Sequence, residues 1–431
     1  MRSSPAPKSR PTISASQLAR HWISLLFLLA FSPLHAQTPA DIARLNQQIT
    51  PITAVQAGSG FADLAPLAPI VAQARVVALG ECTHGSHEVF QLKHRLLEYL
   101  VTQQGFTTLA LEVDYGWGEI LNEYIQTGAG DSLTVRKASG FVLWDTVEFW
   151  DMVEWMRVYN QQHAAKIRYV GIDMQDPRPN LLRLEHFAAQ RTDTALQRRV
   201  QRLRTSHSAL GLTYPQPSAD TQQRLMRQAD ELVQHLHAVA APATVQQHAQ
   251  VLRQWAGLVG QKHYGDIRDQ GMATNVAWLL QQDPAAKVVV WAHNGHIRRD
   301  EYMPLMGRHL ARQLGPTYVA VGFATGRGTA SVFPNGTARP LVLAPPVSNS
   351  YEAWLDQATP PFYLLNLHRT TAADQWLTKG RKFRAIGERE RPGGAQGQFM
   401  WYAPLPQAFD ALFYLHETSA SQPYKTAHPA R

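Results

Sequence analysis

The chain has 431 residues, 45% hydrophobic and 17% charged, which excludes a disordered polymer and allows roughly one to three domains around a substantial core. Its formal net charge of +8 is spread without any Lys/Arg stripe, which argues against a nucleic-acid binder. A single cysteine, Cys82, excludes an intrachain disulfide.

Arg2, Lys8, Arg10 and Arg20 precede a short apolar run, Trp22–Phe31, and Ala36 supplies a small residue before a cut. That order reads as a secretory signal peptide over residues 1–36. The run is shorter than the about 20 residues needed to span a bilayer, and the alternative is an uncleaved N-terminal anchor. Removal of residues 1–36 leaves 37 basic against 33 acidic residues. The leader implies export, periplasmic or extracellular, and because no later stretch is apolar enough to span a membrane, no membrane contact is expected once it is removed.

A short helix is expected around Asp41–Gln48. Arg75–Gly80 is a β-branched run closed by glycine, hence a buried strand. Ser86–Gln104 has apolar residues at helical spacing and ends at Gly105; Thr107–Glu112 is the next strand. Together they make a strand–helix–strand crossover of the parallel kind. Helices over Gly116–Thr127 and Thr146–Gln162 and a strand over Ile167–Asp173 follow. Residues of about 178–283 lack strand signals and read as a helical insertion, with segments near 194–208, 218–240, 243–262 and 266–282. Strand Lys287–Ala292, helix Met303–Leu314 and strand Tyr318–Phe323 return to the alternating pattern. Weaker strands are expected near Phe362–Leu367 and Ala411–Leu415. The fold class is therefore α/β: a mainly parallel sheet flanked by helices, with a helical insertion. One catalytic domain is expected over 37–415, and 416–431 as a loose tail.

In such sheets ligands bind at the C-terminal ends of the strands. Glu81 and His84 follow the first strand, Glu112 ends the second, and His293 and His296 follow Lys287–Ala292. Two carboxylates and three imidazoles at one sheet edge are costly to bury without partners and suit acid–base chemistry. No Gly-x-Ser-x-Gly elbow and no phosphate-binding glycine loop is present. Cys82 lies between Glu81 and His84, where adjacent side chains point apart, and is set aside as a nucleophile.

GECTHGSHEVFQLKHRLLEYLVTQQGF and LALEVDYGWGEILNEYIQTG resemble the erythromycin esterase family. The resemblance runs on through WDTVEFWDMVEWMRVYN, GIDMQD, RDQGMATNV and VVVWAHNGHI, from about Arg75 to Leu415. It implies an α/β core with helical insertions and hydrolysis of a carboxylic ester or lactone, archetypally a macrolide ring. It implies a catalytic set of Glu81, His84, Glu112, His293 and His296, with His84 as the general base that activates water. Glu81 or Glu112 would orient His84, and His293 or His296 would stabilise the oxyanion. Where some members carry an arginine, this chain has Lys93, with Arg95 close; both are assigned to substrate binding, with Trp144, Arg268 and Asp269. Asp145 and Glu148 are expected near the pocket and Asp173 behind it.

The main reading needs no cofactor and takes a small-molecule ester or lactone as partner. One alternative is a metal-dependent hydrolase that uses the same Glu81, His84, Glu112, His293 and His296 as ligands of a divalent ion. Another is a non-catalytic protein that binds haem or a metal through His293 and His296.

Overall fold

The computed structural model describes residues 38–130, 132, 135–136, 143–210 and 218–424, and the expected leader, residues 1–36, lies outside them. Helix α1 covers Pro39–Gln48. The strands are β1 Ile49–Pro51, β2 Val76–Leu79, β3 Thr108–Asp114, β4 Arg168–Asp173, β5 Val288–Trp291, β6 Tyr318–Val332, β7 Arg339–Val342, β8 Phe362–Asn366, β9 Arg381–Arg384, β10 Phe399–Tyr402 and β11 Ala411–Thr418. From Arg44 onward the described residues form one unit. Its main sheet runs β1-β8-β11-β6-β2-β5-β3-β4, with β7 alongside β6. The pairs from β11 to β4 are parallel, while β8, β1 and β7 join antiparallel at one side.

The main helices are α2 His87–Gln104, α3 Tyr115–Thr127, α4 Val147–Gln162, α5 Arg178–Ala189, α6 Thr194–Ser208, α7 Ala219–Ala238, α8 Ala243–Leu258, α9 Tyr264–Gln282, α10 Asn294–Ile297 and α11 Met306–Leu314. Both sheet faces are covered, which is why β2 and β5 read as unbroken apolar runs. On one face Val77, Leu79, Leu111, Val289 and Trp291 pack with Phe90, Leu92 and Leu96 of α2 and Phe149 and Val153 of α4. On the other, Val76, Ala78, Ala110, Val288 and Val290 pack with Met272 and Val276 of α9 and Leu310 of α11. Gly105 adopts φ 71° and its N–H caps α2 through the Leu100 carbonyl, a conformation that costs glycine little.

Between β4 and β5 the described residues form helices and turns only. Helices α5 to α8 close on a core of their own, which includes Leu184, Leu203, Leu232 and Trp255. Among the described residues no helix is long and apolar enough to cross a membrane. Two expectations need correction. β6 runs nine residues beyond Phe323, because Gly326, Gly328 and polar residues dilute its apolar pattern. Residues 416–424 are not a loose tail: Thr418 ends β11, and Ala420 and Pro423 form bridges with Ser86 and Thr146.

Candidate active site

The parallel strands β2, β5, β3 and β4 all end on one side, and each delivers a polar residue there. Gly80 leads out of β2 because Asn294 crosses that point; a Cβ on Gly80 would sit 2.0 Å from Asn294 Oδ1. Asn294 in turn donates its backbone N–H to the Glu81 carbonyl at 2.8 Å and its Nδ2 to the Phe323 carbonyl at 2.6 Å. The exits of β2 and β5 are thereby tied together next to Glu81 and His293.

Glu81 is fully buried. Its Oε1 accepts from His84 Nδ1 at 2.7 Å, and its Oε2 accepts from Lys93 Nζ at 2.8 Å and Trp291 Nε1 at 2.6 Å. Burial works against the carboxylate, but Lys93 and His84 outweigh it and hold Glu81 below its usual range. An ionised Glu81 makes His84 Nδ1 the donor and leaves Nε2 as the basic nitrogen of the neutral ring. Burial opposes the His84 cation; Glu81 and Glu112 more than reverse this, so its affinity for a proton is raised.

Glu112 answers to a different set. Its Oε1 accepts from Arg268 Nη2 at 2.8 Å and lies 3.2 Å from His296 Nε2, while Oε2 accepts the His293 backbone N–H at 2.9 Å. Arg268, from α9, is also bound to both oxygens of Asp173. Burial penalises the guanidinium, but Asp173 and Glu112 keep it charged. His296 Nδ1 faces both oxygens of Asp269 at 2.9 and 3.0 Å. Against the cost of burial, Glu112 and Asp269 push His296 up to about 10, so the ring is an imidazolium between two carboxylates. Its 3.2 Å approach to Arg268 Nη1 is then a contact of two cations, offset by Glu112, Asp173 and Asp269.

His293 has the opposite character. Its Nδ1 accepts the Gly295 backbone N–H at 3.0 Å, which caps α10 and places the ring proton on Nε2. Nε2 is buried with no hydrogen-bond partner among the described residues. Burial and the neighbouring His84 and His296 lower its pKa to about 3, so the ring stays neutral. The His84 and His293 rings are 5.3 Å apart.

A cavity of about 430 Å3 is lined by His84, Glu112, His293, His296 and Arg268, together with Leu143, Gln175 and the loop residues Gly387, Glu388, Arg389 and Arg391. A second, of about 250 Å3, shares Glu112, Leu143, Gln175 and Glu388 with it and adds Asp114, Trp117, Trp144 and Asp173. Burial and the adjacent Asp173 raise Asp114 well above the usual carboxylate range.

The structure thus brings together Glu81, His84, Glu112, His293 and His296. Of the residues assigned to substrate binding, Arg268 lines the larger cavity and Trp144 the smaller one, edge-on to the His84 ring at 6.2 Å. Asp269 is buried behind His296. Lys93 does not face the cavity: it is buried, its ammonium on Glu81 and 4.2 Å from the Trp291 ring centre. Arg95 points elsewhere, to Asp63 and the Gly60 carbonyl. Glu148 binds His87 rather than the pocket, and Asp145 pairs with Arg136. The loop 387–391 and Asp114 escaped the sequence reading; only the position of Asp114 two residues past Glu112 pointed to it.

The sequence profile described as erythromycin esterase matches residues 101–418. The chain is 28% identical over 319 residues to erythromycin esterase type II of Escherichia coli, across 64% of this chain and 74% of that one. Among solved structures, a succinoglycan biosynthesis protein superposes with a TM-score of 0.78 at 26% identity, covering 89% of this chain and 98% of the other. A mutant of the erythromycin esterase EreC in its open conformation superposes with a TM-score of 0.70 over 87% and 98% of the two chains; at 19% identity this speaks for the fold alone. The profile match and the Escherichia coli relative make the chain an ester-hydrolysing hydrolase. It belongs to the erythromycin esterase family.

Proposed function

We propose that this hydrolase adds water across a carboxylic ester, with a macrolide lactone as the favoured substrate, and that it works outside the cytoplasm after loss of residues 1–36. The observation that carries the mechanism is the 2.7 Å bond from His84 Nδ1 to Glu81, on a ring whose other nitrogen is left for the cavity. Neutral His84 takes a proton from water through Nε2 as the water oxygen attacks the acyl carbon. Glu81 orients the imidazole and stabilises the imidazolium that forms. The carbonyl oxygen gathers negative charge beside the His293 Nε2–H and the cations His296 and Arg268, which are fixed in advance by Glu112, Asp173 and Asp269. Collapse of the tetrahedral intermediate expels the alkoxide, which takes the proton back from His84. A lactone is thereby opened to a hydroxy acid, heavier by one water.

The donor chemistry does not suit the metal or haem readings. His296 sits between Glu112 and Asp269, which push it up to about 10, and Glu81 and Glu112 already have Lys93, His84, Arg268 and His296 as partners. Among the described residues no group of three or more His, Cys, Asp or Glu is arranged to hold a metal ion.

The test is incubation of residues 37–431 with an erythromycin-type macrolide, followed by mass spectrometry. The expected result is gain of one water with the wild-type chain and none with His84→Ala. No gain with the wild type would remove the macrolide; equal gain with both would remove His84.

A further inference from the structure

Past Thr418 the chain stays bound to the fold. Ala420 bridges antiparallel to Ser86 in the turn that carries His84, and Pro423 bridges to Thr146 at the start of α4. The Ser421 N–H donates to the Gly85 carbonyl, next to His84, at 2.8 Å. The Ser331 N–H donates to the same carbonyl at 2.8 Å, and Ser331 Oγ to the Ser421 carbonyl at 3.1 Å. On the α4 side, the Val147 N–H donates to the Gln422 carbonyl at 2.9 Å and the Tyr424 N–H to the Asp145 carbonyl at 3.0 Å.

Two carboxylates anchor this segment. Glu88 accepts from Thr418 Oγ1 at 2.6 Å and from the Ser419 N–H and Oγ, both at 2.7 Å. Glu148 accepts the Gln422 N–H at 3.0 Å while also binding His87. The two stretches so joined meet in the site. His84 precedes Gly85 on one, and Trp144, whose ring is edge-on to His84, precedes Asp145 on the other.

We propose that Ser419–Tyr424 is a positioning strap for the general base: it sets the His84 turn against Trp144, and the Ser421 N–H to Gly85 carbonyl bond is the contact through which it acts. The inference rests on His84 being the base of ester hydrolysis. Base and acyl carbon must meet within a fraction of an ångström, so a turn freed on one side loses rate without losing the fold. The groups that weigh most on His84 are Glu81, Glu112 and His296, with the His293 ring 5.3 Å away. None belongs to the strap, so a change in the strap reaches the His84 pKa through geometry alone.

Ser421→Pro deletes the N–H, and proline suits an extended segment. Ser421→Ala keeps the N–H and removes only a hydroxyl that has no partner among the described residues. The His84 pKa is read by NMR of ring-labelled histidine, assigned by difference with His84→Ala. Wild type and Ser421→Ala should share a value above 6.5. Ser421→Pro should fall toward 6.5 as the bond to Glu81 loosens, with kcat down roughly 10- to 100-fold and KM held. A folded Ser421→Pro protein with the His84 pKa and kcat of Ser421→Ala would overturn the proposal. If that variant does not fold, an ester in place of the Ala420–Ser421 peptide bond removes the same N–H without the proline ring and carries the same two readouts, and an unchanged pKa there overturns it equally. The NMR arm needs no substrate: absence of turnover in wild type alongside an intact pKa shift would fault the ester reading and not the strap.

Discussion

Glu81 and Glu112 look alike in the sequence, two glutamates at strand ends, and the structure gives them different work. Glu81 is buried among three donors, one of which is His84; Glu112 is taken up by Arg268, His296 and the His293 backbone N–H. The choice between them as the partner of His84 falls to Glu81. Lys93 completes that arrangement from α2, its own pKa lowered to about 8 by burial in spite of Glu81. Removing one member of a buried ion pair leaves the other uncompensated. Lys93→Met is therefore expected to lower unfolding stability by about 3–5 kcal/mol in urea titrations and to cut kcat; stability and kcat within error of wild type would contradict this. The five Glu and His positions were legible because strand ends in a parallel sheet are where polar groups gather. The burial of Lys93 was not, since a lone lysine on a helix reads equally well as a solvated residue.

At the scale of elements, short antiparallel pieces and backbone contacts carry what the sequence concealed. β9 and β10 are four residues each, too short for a periodic signal, yet the loop between them supplies Gly387, Glu388, Arg389 and Arg391 to the cavity. The strap after β11, Ser419–Tyr424, is short and has no apolar periodicity, and it is held largely through its backbone, which leaves no side-chain signature. The helices were legible almost to the residue where apolar spacing was strong, as in α2 and α6. A further device sits under β9. Glu352 is fully buried, its Oε1 accepts the Arg384 N–H at 2.6 Å, and its Oε2 has no partner among the described residues. Burial raises its pKa from 4.5 to about 7 despite Arg384. The folded state therefore binds this proton more tightly than the unfolded chain. Its contribution to stability is full below pH 4.5 and is lost as pH rises toward 7. Glu352→Gln fixes the neutral form, so its stability relative to wild type should rise with pH across that window, by on the order of 3 kcal/mol in all. Parallel stability curves in urea at pH 5 and pH 8 would contradict it.

Over the whole molecule, one side of one sheet assembles two electrostatic layers. One, His84 and His293, is kept adjustable or neutral; the other, Arg268 and His296, is held cationic beside Glu112, Asp173 and Asp269. Water activation falls to the first and charge stabilisation to the second, which is how a single polar cluster can serve both ends of an ester hydrolysis. The division depends on Glu81 raising the proton affinity of His84 through Nδ1, which leaves Nε2 to the cavity. The most direct test is kcat/KM against pH for wild type and Glu81→Gln. Only neutral His84 can act as base, and its pKa lies above 6.5, so the wild-type rate should fall on the acid side with an apparent pKa above that value. Without the carboxylate the imidazolium loses its stabilisation. Glu81→Gln should therefore shift the acid limb to lower pH and lower the plateau by at least about 100-fold. An acid limb that stays in place, or moves to higher pH, would contradict the account.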